Sequence, residues 1–383
     1  MRWDSLRLDS SETGSAGYAV LPLIERGAVA RTFDTPEFRG MTFYEVQAKS
    51  IVSEVPKSSR MMFRYTINPY RGCIHACKYC FARNSHTYLD LDAGRDFDTK
   101  VVVKVNAPQL LRAKLASPGW RGEHIAMGTN VDCYQRAEGR YRLMPGIIGA
   151  LRDARNPFSI LTKGTLILRD LDLLRSAAEV TDVGLNVSAA FTDESLWRAI
   201  EPGTPAPQRR LEACAALNDA GLRCGVLMGP VVPFLSDSPA QLAAAVRGAA
   251  AAGAPHVTPI VLHLRPGARE WFLGWLREAH PELVPRYAEL YGPGAYARKD
   301  YQARISGQVR ELAERFGVGR ETGRSGRPAR RDQASPSVPA PARDRVEPAH
   351  PAPPAGRVAL SEQAAPADPA PPAVSSHQQL TLL

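Results

Sequence analysis

Asn68-Pro-Tyr-Arg-Gly-Cys73-Ile-His-Ala-Cys77-Lys-Tyr79-Cys80-Phe81 is the stretch that decides the fold. Its three cysteines stand at C-x3-C-x2-C. Three close thiolates are a soft donor set that suits an iron–sulfur cluster or zinc. A [4Fe–4S] cube takes four ligands, and this loop supplies three. A cube held here keeps one iron without a cysteine, and that open iron is the reactive feature. Zinc is the alternative. Structural zinc closes with four ligands, often as two separated pairs. No second Cys or His pair stands at such spacing, so His75 or His86 would have to complete the site.

The spacing, with the aromatic Tyr79 directly before Cys80, resembles the signature of the radical S-adenosylmethionine (radical SAM) enzymes. Asn-Pro-Tyr-x-Gly-Cys before the triad and Cys80-Phe-Ala-Arg83 after it are similar to the branch that contains the spore photoproduct lyases. The resemblance implies that the open iron of a [4Fe–4S] cluster binds the amino and carboxylate groups of S-adenosylmethionine. It also implies an electron donor such as ferredoxin or flavodoxin. One electron cleaves the sulfonium, and the resulting 5′-deoxyadenosyl radical takes a hydrogen from the substrate.

Length and composition agree with an enzyme of this size. The chain has 383 residues with 44% hydrophobic content, enough for one large domain or two ordinary ones. No apolar h-region is read at the N-terminus, and no apolar run is long enough to span a bilayer. Clustered thiols without an export signal point to a reducing cytoplasm. Net charge is +9, and the seven arginines and six acids after Arg320 leave +8 on residues 1–320. A basic folded part is compatible with a polyanion such as DNA.

The chain after Tyr65 alternates strand and helix. Phe63–Ile67 reads as a strand that Pro69 and Gly72 end. Further strands are expected at Asp98–Val105, His124–Gly128, Phe158–Lys163, Val183–Ser188, Cys224–Met228 and His256–Leu262. Helices are expected at Met144–Ala154, Asp170–Ala178 and Gln208–Ala220, with Asn106 capping another. Ser238-Pro-Ala-Gln241 is the strongest helix start, with a capping-box glutamine and a proline at the first helical position. About six strands with helical crossovers argue for an α/β fold with a parallel sheet. This is also the partial (β/α)6 barrel that the resemblance implies. Residues 1–59 are read as an N-terminal extension, 60–264 as the barrel, 265–320 as a helical extension packed on it, and 321–383 as a disordered Pro/Ala-rich tail.

In such folds ligands sit at the carboxyl ends of the strands. The resemblance implies cluster ligands at Cys73, Cys77 and Cys80, with Tyr79 beside the adenine. It places Gly128, Thr129 and Asn130 near the methionine amino group, Lys163 near the cofactor's carboxylate, and Ser188 in hydrogen-bond reach. Gly225-Val-Leu-Met-Gly229 resembles the glycine-rich strand that meets the adenine, although Val232 stands where an acid is expected. The lyases use a cysteine hydrogen donor after the second strand, which makes Cys133 the candidate here, although Gly128 aligns best with the donor. Asp132, Tyr134 and Gln135 are candidate substrate contacts, and Arg209 and Arg210 a candidate anion clamp. Cys214 and Cys224 read as core residues.

Gln379-Leu-Thr-Leu-Leu383 resembles the peptides that dock bacterial sliding clamps. Two function classes follow. One is a radical SAM enzyme acting on DNA in a photoproduct-lyase-like repair. The other is a metal-stabilised protein that binds nucleic acid or a clamp without catalysis.

Overall fold

The structure is a computed structural model and describes residues 27–319, apart from 57, 58 and 60. The 321–383 tail and its Gln379–Leu383 peptide lie outside the described residues.

Short β-branched and aromatic runs form the strands. In chain order they are β1 Val29–Arg31, β2 Thr42–Val46, β3 Val52–Glu54, β4 Tyr65–Ile67, β5 Tyr70–Arg71, β6 Lys100–Lys104, β7 Ile125–Met127, β8 Phe158–Thr162, β9 Val183–Ser188, β10 Cys224–Val231 and β11 Val257–Val261. The larger sheet has the order β11-β10-β9-β8-β7-β4-β3. From β4 to β11 the neighbours are parallel, and β3 closes one edge antiparallel to β4. Six parallel strands in sequential order with helical crossovers form the partial barrel that the alternation predicts. Ile125, Phe158 and Val226 are fully buried, and β8 alternates buried and partly exposed residues.

One expected strand goes elsewhere. Residues 100–104 leave the barrel and join a second sheet of order β1-β2-β6-β5. There Val102 pairs with Tyr44 in parallel and with Arg71 antiparallel. The reason is visible in the burial. Val101 and Val103 face the main core, while Val102 packs with Tyr44, Val46, Leu89 and Leu91 in a second, smaller one. A strand apolar on both faces needs a cover on each. The segment Thr42–Val46 supplies an in-sheet partner that periodicity alone did not place. The barrel count is made up by Tyr65–Ile67.

The helix signals fare unevenly. Ser238 and Gln241 form the capping box, each satisfying the other's backbone N–H. Asn106 does not cap; its amide group accepts from Ala48 N and donates to Ala48 O, tying the helix Ala107–Leu115 to the chain after β2. Ala268–Ala279, Val284–Tyr291 and Lys299–Phe316 are the helices expected beyond the last strand. Phe272 and Leu276 are fully buried. No helix among the described residues is long and apolar enough to cross a membrane.

Candidate active site

The carboxyl end of β4 leads directly into the cysteine loop, which buried side chains hold from three sides. Gln135 is fully buried and grips the loop's first turn: its amide nitrogen donates to Gly72 O at 3.0 Å and its oxygen accepts from Ile74 N at 3.0 Å. Arg83, also fully buried, donates through Nε and Nη2 to Cys77 O and pairs with Asp98 at 2.8 Å. The third support is the turn Glu201–Thr204, where Gly203 N donates to His75 O and Lys78 N to Ile200 O. A Cβ on Gly203 would lie 2.0 Å from Ile74 O, so only glycine lets these two backbones meet.

The thiols themselves are unpaired with one another. Cys73 and Cys77 are buried, Cys80 is partly exposed, and none is in a disulfide. Burial pushes all three thiols up, while their mutual charge is felt between Cys73, Cys77 and Cys80. An iron–sulfur cluster takes thiolate ligands, and the loop offers three free thiols. His86, one histidine that zinc would recruit, is engaged by Lys100 O at 2.8 Å. Three clustered free thiols on a rigid loop therefore fit a [4Fe–4S] cluster.

Beside the loop, the strand ends bring charged groups together. Lys163 Nζ lies 2.5 Å from Ser188 Oγ, 3.0 Å from Gly229 O and 3.2 Å from Glu201 Oε1. The Tyr79 hydroxyl donates to the same Glu201 oxygen, and Arg210 donates to Glu201 Oε2 at 2.5 Å and to Ser188 O at 3.1 Å. Burial raises the Glu201 carboxyl, but Arg210 and Lys163 outweigh it and hold the group down to about 2. One buried carboxylate, Glu201, thus faces two cations, and the Lys163 ammonium, shared with Ser188 and Gly229, is of the right sign for an anionic ligand group. Asp132 fixes the neighbouring backbone: it accepts from Lys163 N at 2.6 Å, from Thr162 Oγ1 at 2.6 Å and from Tyr134 N at 2.8 Å.

The sequence-predicted residues divide accordingly. Tyr79, Lys163, Ser188 and Gly229 meet in one network. Gly128, Thr129 and Asn130 follow β7 directly; Gly128 has φ +75°, and a Cβ there would lie 1.8 Å from Leu161 O. Gly225 stands at the amino end of β10, against the ring of His256, and is not brought to Lys163. Cys133 is fully buried. Gln135 is turned to the cysteine loop, and Arg209 lies on an exposed helix face with Glu212 at 3.1 Å, whereas Arg210 is buried. Sequence reasoning passed over Glu201 and the Arg83–Asp98 pair. The signals were there: Glu201 opens a Pro-Gly-Thr-Pro turn, and Arg83 ends the motif after Cys80.

A cavity of about 690 Å³ adjoins the loop. His75, Tyr134, Arg136 and Gly164 line one side, and Thr32–Phe38 the other. That arm is pinned by Phe33 and Phe38, each 5.3 Å from the Phe43 ring, and by Arg140 stacked 4.5 Å over Phe33. Neither ring nitrogen of His75 has a hydrogen-bond partner.

The radical SAM superfamily model matches residues 67–245. Relatives from Mycobacterium tuberculosis and Mycobacterium bovis, described as uncharacterised proteins, are 51% identical over 296 residues, covering 77% of this chain and 87% of theirs. A protein of Methanocaldococcus jannaschii, also described as uncharacterised, is 33% identical over 174 residues, 45% of this chain and 62% of its own. Among solved structures, spore photoproduct lyase complexed with dinucleoside spore photoproduct aligns with TM-score 0.54 at 15% identity, covering 72% of this chain and 80% of its own. A mutant of that lyase with bound AdoMet and dinucleoside spore photoproduct aligns with TM-score 0.54 at 15% identity, covering 69% and 77%. At such identity the likeness is one of fold. The non-catalytic, metal-stabilised reading gives way to an enzyme with a [4Fe–4S] cluster and S-adenosylmethionine as cofactors. The cysteine loop, the parallel partial barrel and the family match agree: this chain belongs to the radical SAM superfamily.

Proposed function

We propose that Cys73, Cys77 and Cys80 hold the cluster, that Lys163 and Ser188 seat the carboxylate of S-adenosylmethionine, and that the substrate is DNA bearing a lesion. When bound, the reduced cluster and S-adenosylmethionine supply a 5′-deoxyadenosyl radical for hydrogen abstraction. The chain's own residues do the positioning. Gln135, Arg83 and the Gly203 turn fix the ligand loop. Lys163 offers the anion its charge from a place where Glu201 and Ser188 already orient it. Tyr79 presents its ring to Lys163 at 5.8 Å and its backbone to the adenine. Gly128, Thr129 and Asn130 take the methionine end; Gly229, bonded to Lys163, shapes the strand end beside the adenine, and Gly225 at the other end of β10 takes no part.

The observation that carries this reading is the buried set of two cations around one carboxylate beside the cysteine loop. The DNA substrate is supported by the fold shared with a lyase complexed with dinucleoside spore photoproduct and by the net charge of +9. The cavity beside His75 is the place for the reacting part of that substrate. Cys133 serves as hydrogen donor in this scheme, and the Gln379–Leu383 peptide tethers the enzyme to a sliding clamp in the cytoplasm.

The test uses anaerobically reconstituted enzyme with dithionite and S-adenosylmethionine. Ultraviolet-irradiated DNA should raise 5′-deoxyadenosine formation above the DNA-free rate, and in D2O deuterium should appear in the thymine methyl group of the DNA product, delivered through the exchangeable Cys133 thiol. Equal rates with and without irradiated DNA contradict the substrate.

A further inference from the structure

The cysteine loop has an outer face as well as an inner one. Cys80 is the one partly exposed member of the triad. Phe81 follows it, and its ring is 43% exposed. The Arg265 guanidinium lies 5.3 Å over that ring, and its Nη2 reaches the Tyr296 hydroxyl at 3.4 Å. Tyr296 is 50% exposed and packs edge-on to the His263 ring at 4.6 Å. Lys78, two residues before Cys80, sits over Trp271 at 5.6 Å. Among the described residues, neither Lys78 nor Arg265 has a carboxylate within ion-pair distance. An exposed aromatic surface therefore carries, next to Cys80, two cations that among the described residues are in no ion pair.

The position matters because electron transfer falls steeply with distance. A protein reductant must approach the ligand loop closely, and Lys78 and Phe81 place this surface within two residues of Cys80. None of Lys78, Phe81, Arg265 and Tyr296 lines the cavity beside His75, so a partner seated here leaves the substrate side open. We propose that these four residues form the docking face for an acidic protein that carries single low-potential electrons. The donor would lose one electron, the cluster held by Cys73, Cys77 and Cys80 would gain it, and no proton moves. Transient redox encounters need less than about 1,200 Å² of buried surface, so a patch of this kind is sufficient. The cations speed and orient the encounter, and salt weakens it. This assignment rests on the enzymatic reading above, since only a redox cluster needs a reductant. Nucleic acid is the competing occupant, because aromatic rings and cations also suit a phosphate backbone.

The experiment follows cluster reduction in the reconstituted holoenzyme by stopped-flow absorbance, with either reduced flavodoxin or dithionite. Arg265→Glu should slow reduction by flavodoxin about tenfold or more at low salt. Its iron content and its rate with dithionite should match wild type, and Arg265→Lys should restore most of the flavodoxin rate. Phe81→Ala should slow flavodoxin alone in the same way. An unchanged flavodoxin rate in Arg265→Glu overturns the proposal, as does equal slowing with both reductants. So does lost DNA affinity with an intact flavodoxin rate, which would assign the patch to nucleic acid. A wild type that holds iron but resists dithionite defeats the enzymatic reading and this surface with it.

Discussion

Arg210 Nη2 lies 2.5 Å from Glu201 Oε2, and neither side chain reaches solvent. The pair sits under the cysteine loop because Gly203, in the turn between them, is bonded to His75 O. Removing one partner of a buried pair leaves an uncompensated charge, which costs about 3–5 kcal/mol. Arg210→Ala should lower the unfolding free energy by an amount in that range, read by urea denaturation. Replacing both, as Glu201→Gln with Arg210→Met, should recover a large part of the loss. A double variant as weak as the single one would show that the pair is not coupled.

Lys163 links this pair to the cofactor. Its ammonium is already oriented by Ser188 and Glu201, so an incoming carboxylate meets a placed cation. A hydrogen bond to a charged group contributes about 1.5–3 kcal/mol, roughly 10- to 150-fold in Kd. Lys163→Ala should weaken S-adenosylmethionine binding within that range by equilibrium dialysis and leave the iron content unchanged. Loss of iron in this variant would make Lys163 a support of the loop instead.

Gly203→Ala tests the scaffold without touching a thiol or a charge. The new methyl would meet Ile74 O at 2.0 Å, backbone against backbone, and one of the two segments must move. Overpacking of this kind typically costs about 1–3 kcal/mol. The expected outcome is a folded protein with reduced iron occupancy after reconstitution. Full occupancy at wild-type stability would mean that the loop is not held from this side.

The hydrogen-donor role proposed for Cys133 makes a separate prediction. Cys133→Ala should keep the cluster and the formation of 5′-deoxyadenosine while product formation from irradiated DNA falls and side products accumulate. A product yield equal to wild type would return Cys133 to the core, where its full burial already places it.

Much of this was legible in the chain because the chemistry is local. C-x3-C-x2-C and its flanks fix three ligands by covalent spacing, and Ser238 and Gln241 bond each other within one turn. The alternation of strands and helices located β7 to β11 for the same reason. What escaped depends on contacts far apart in sequence. Residues 100–104 look like a barrel strand, yet their partners at 42–46 lie more than fifty residues away. Gln135 looked like a substrate contact, but its amide matches two backbone groups of the loop some sixty residues earlier. Glu201 drew no reading from the sequence, since nothing near it says that Lys163 and Tyr79 converge on it.

The most direct test of the central claim is elemental. The protein is purified and reconstituted without oxygen, then assayed for iron, acid-labile sulfide and zinc. A cluster held by Cys73, Cys77 and Cys80 predicts about four iron and four sulfide ions per chain, with almost none in Cys77→Ala. One zinc ion per chain with no sulfide would contradict it.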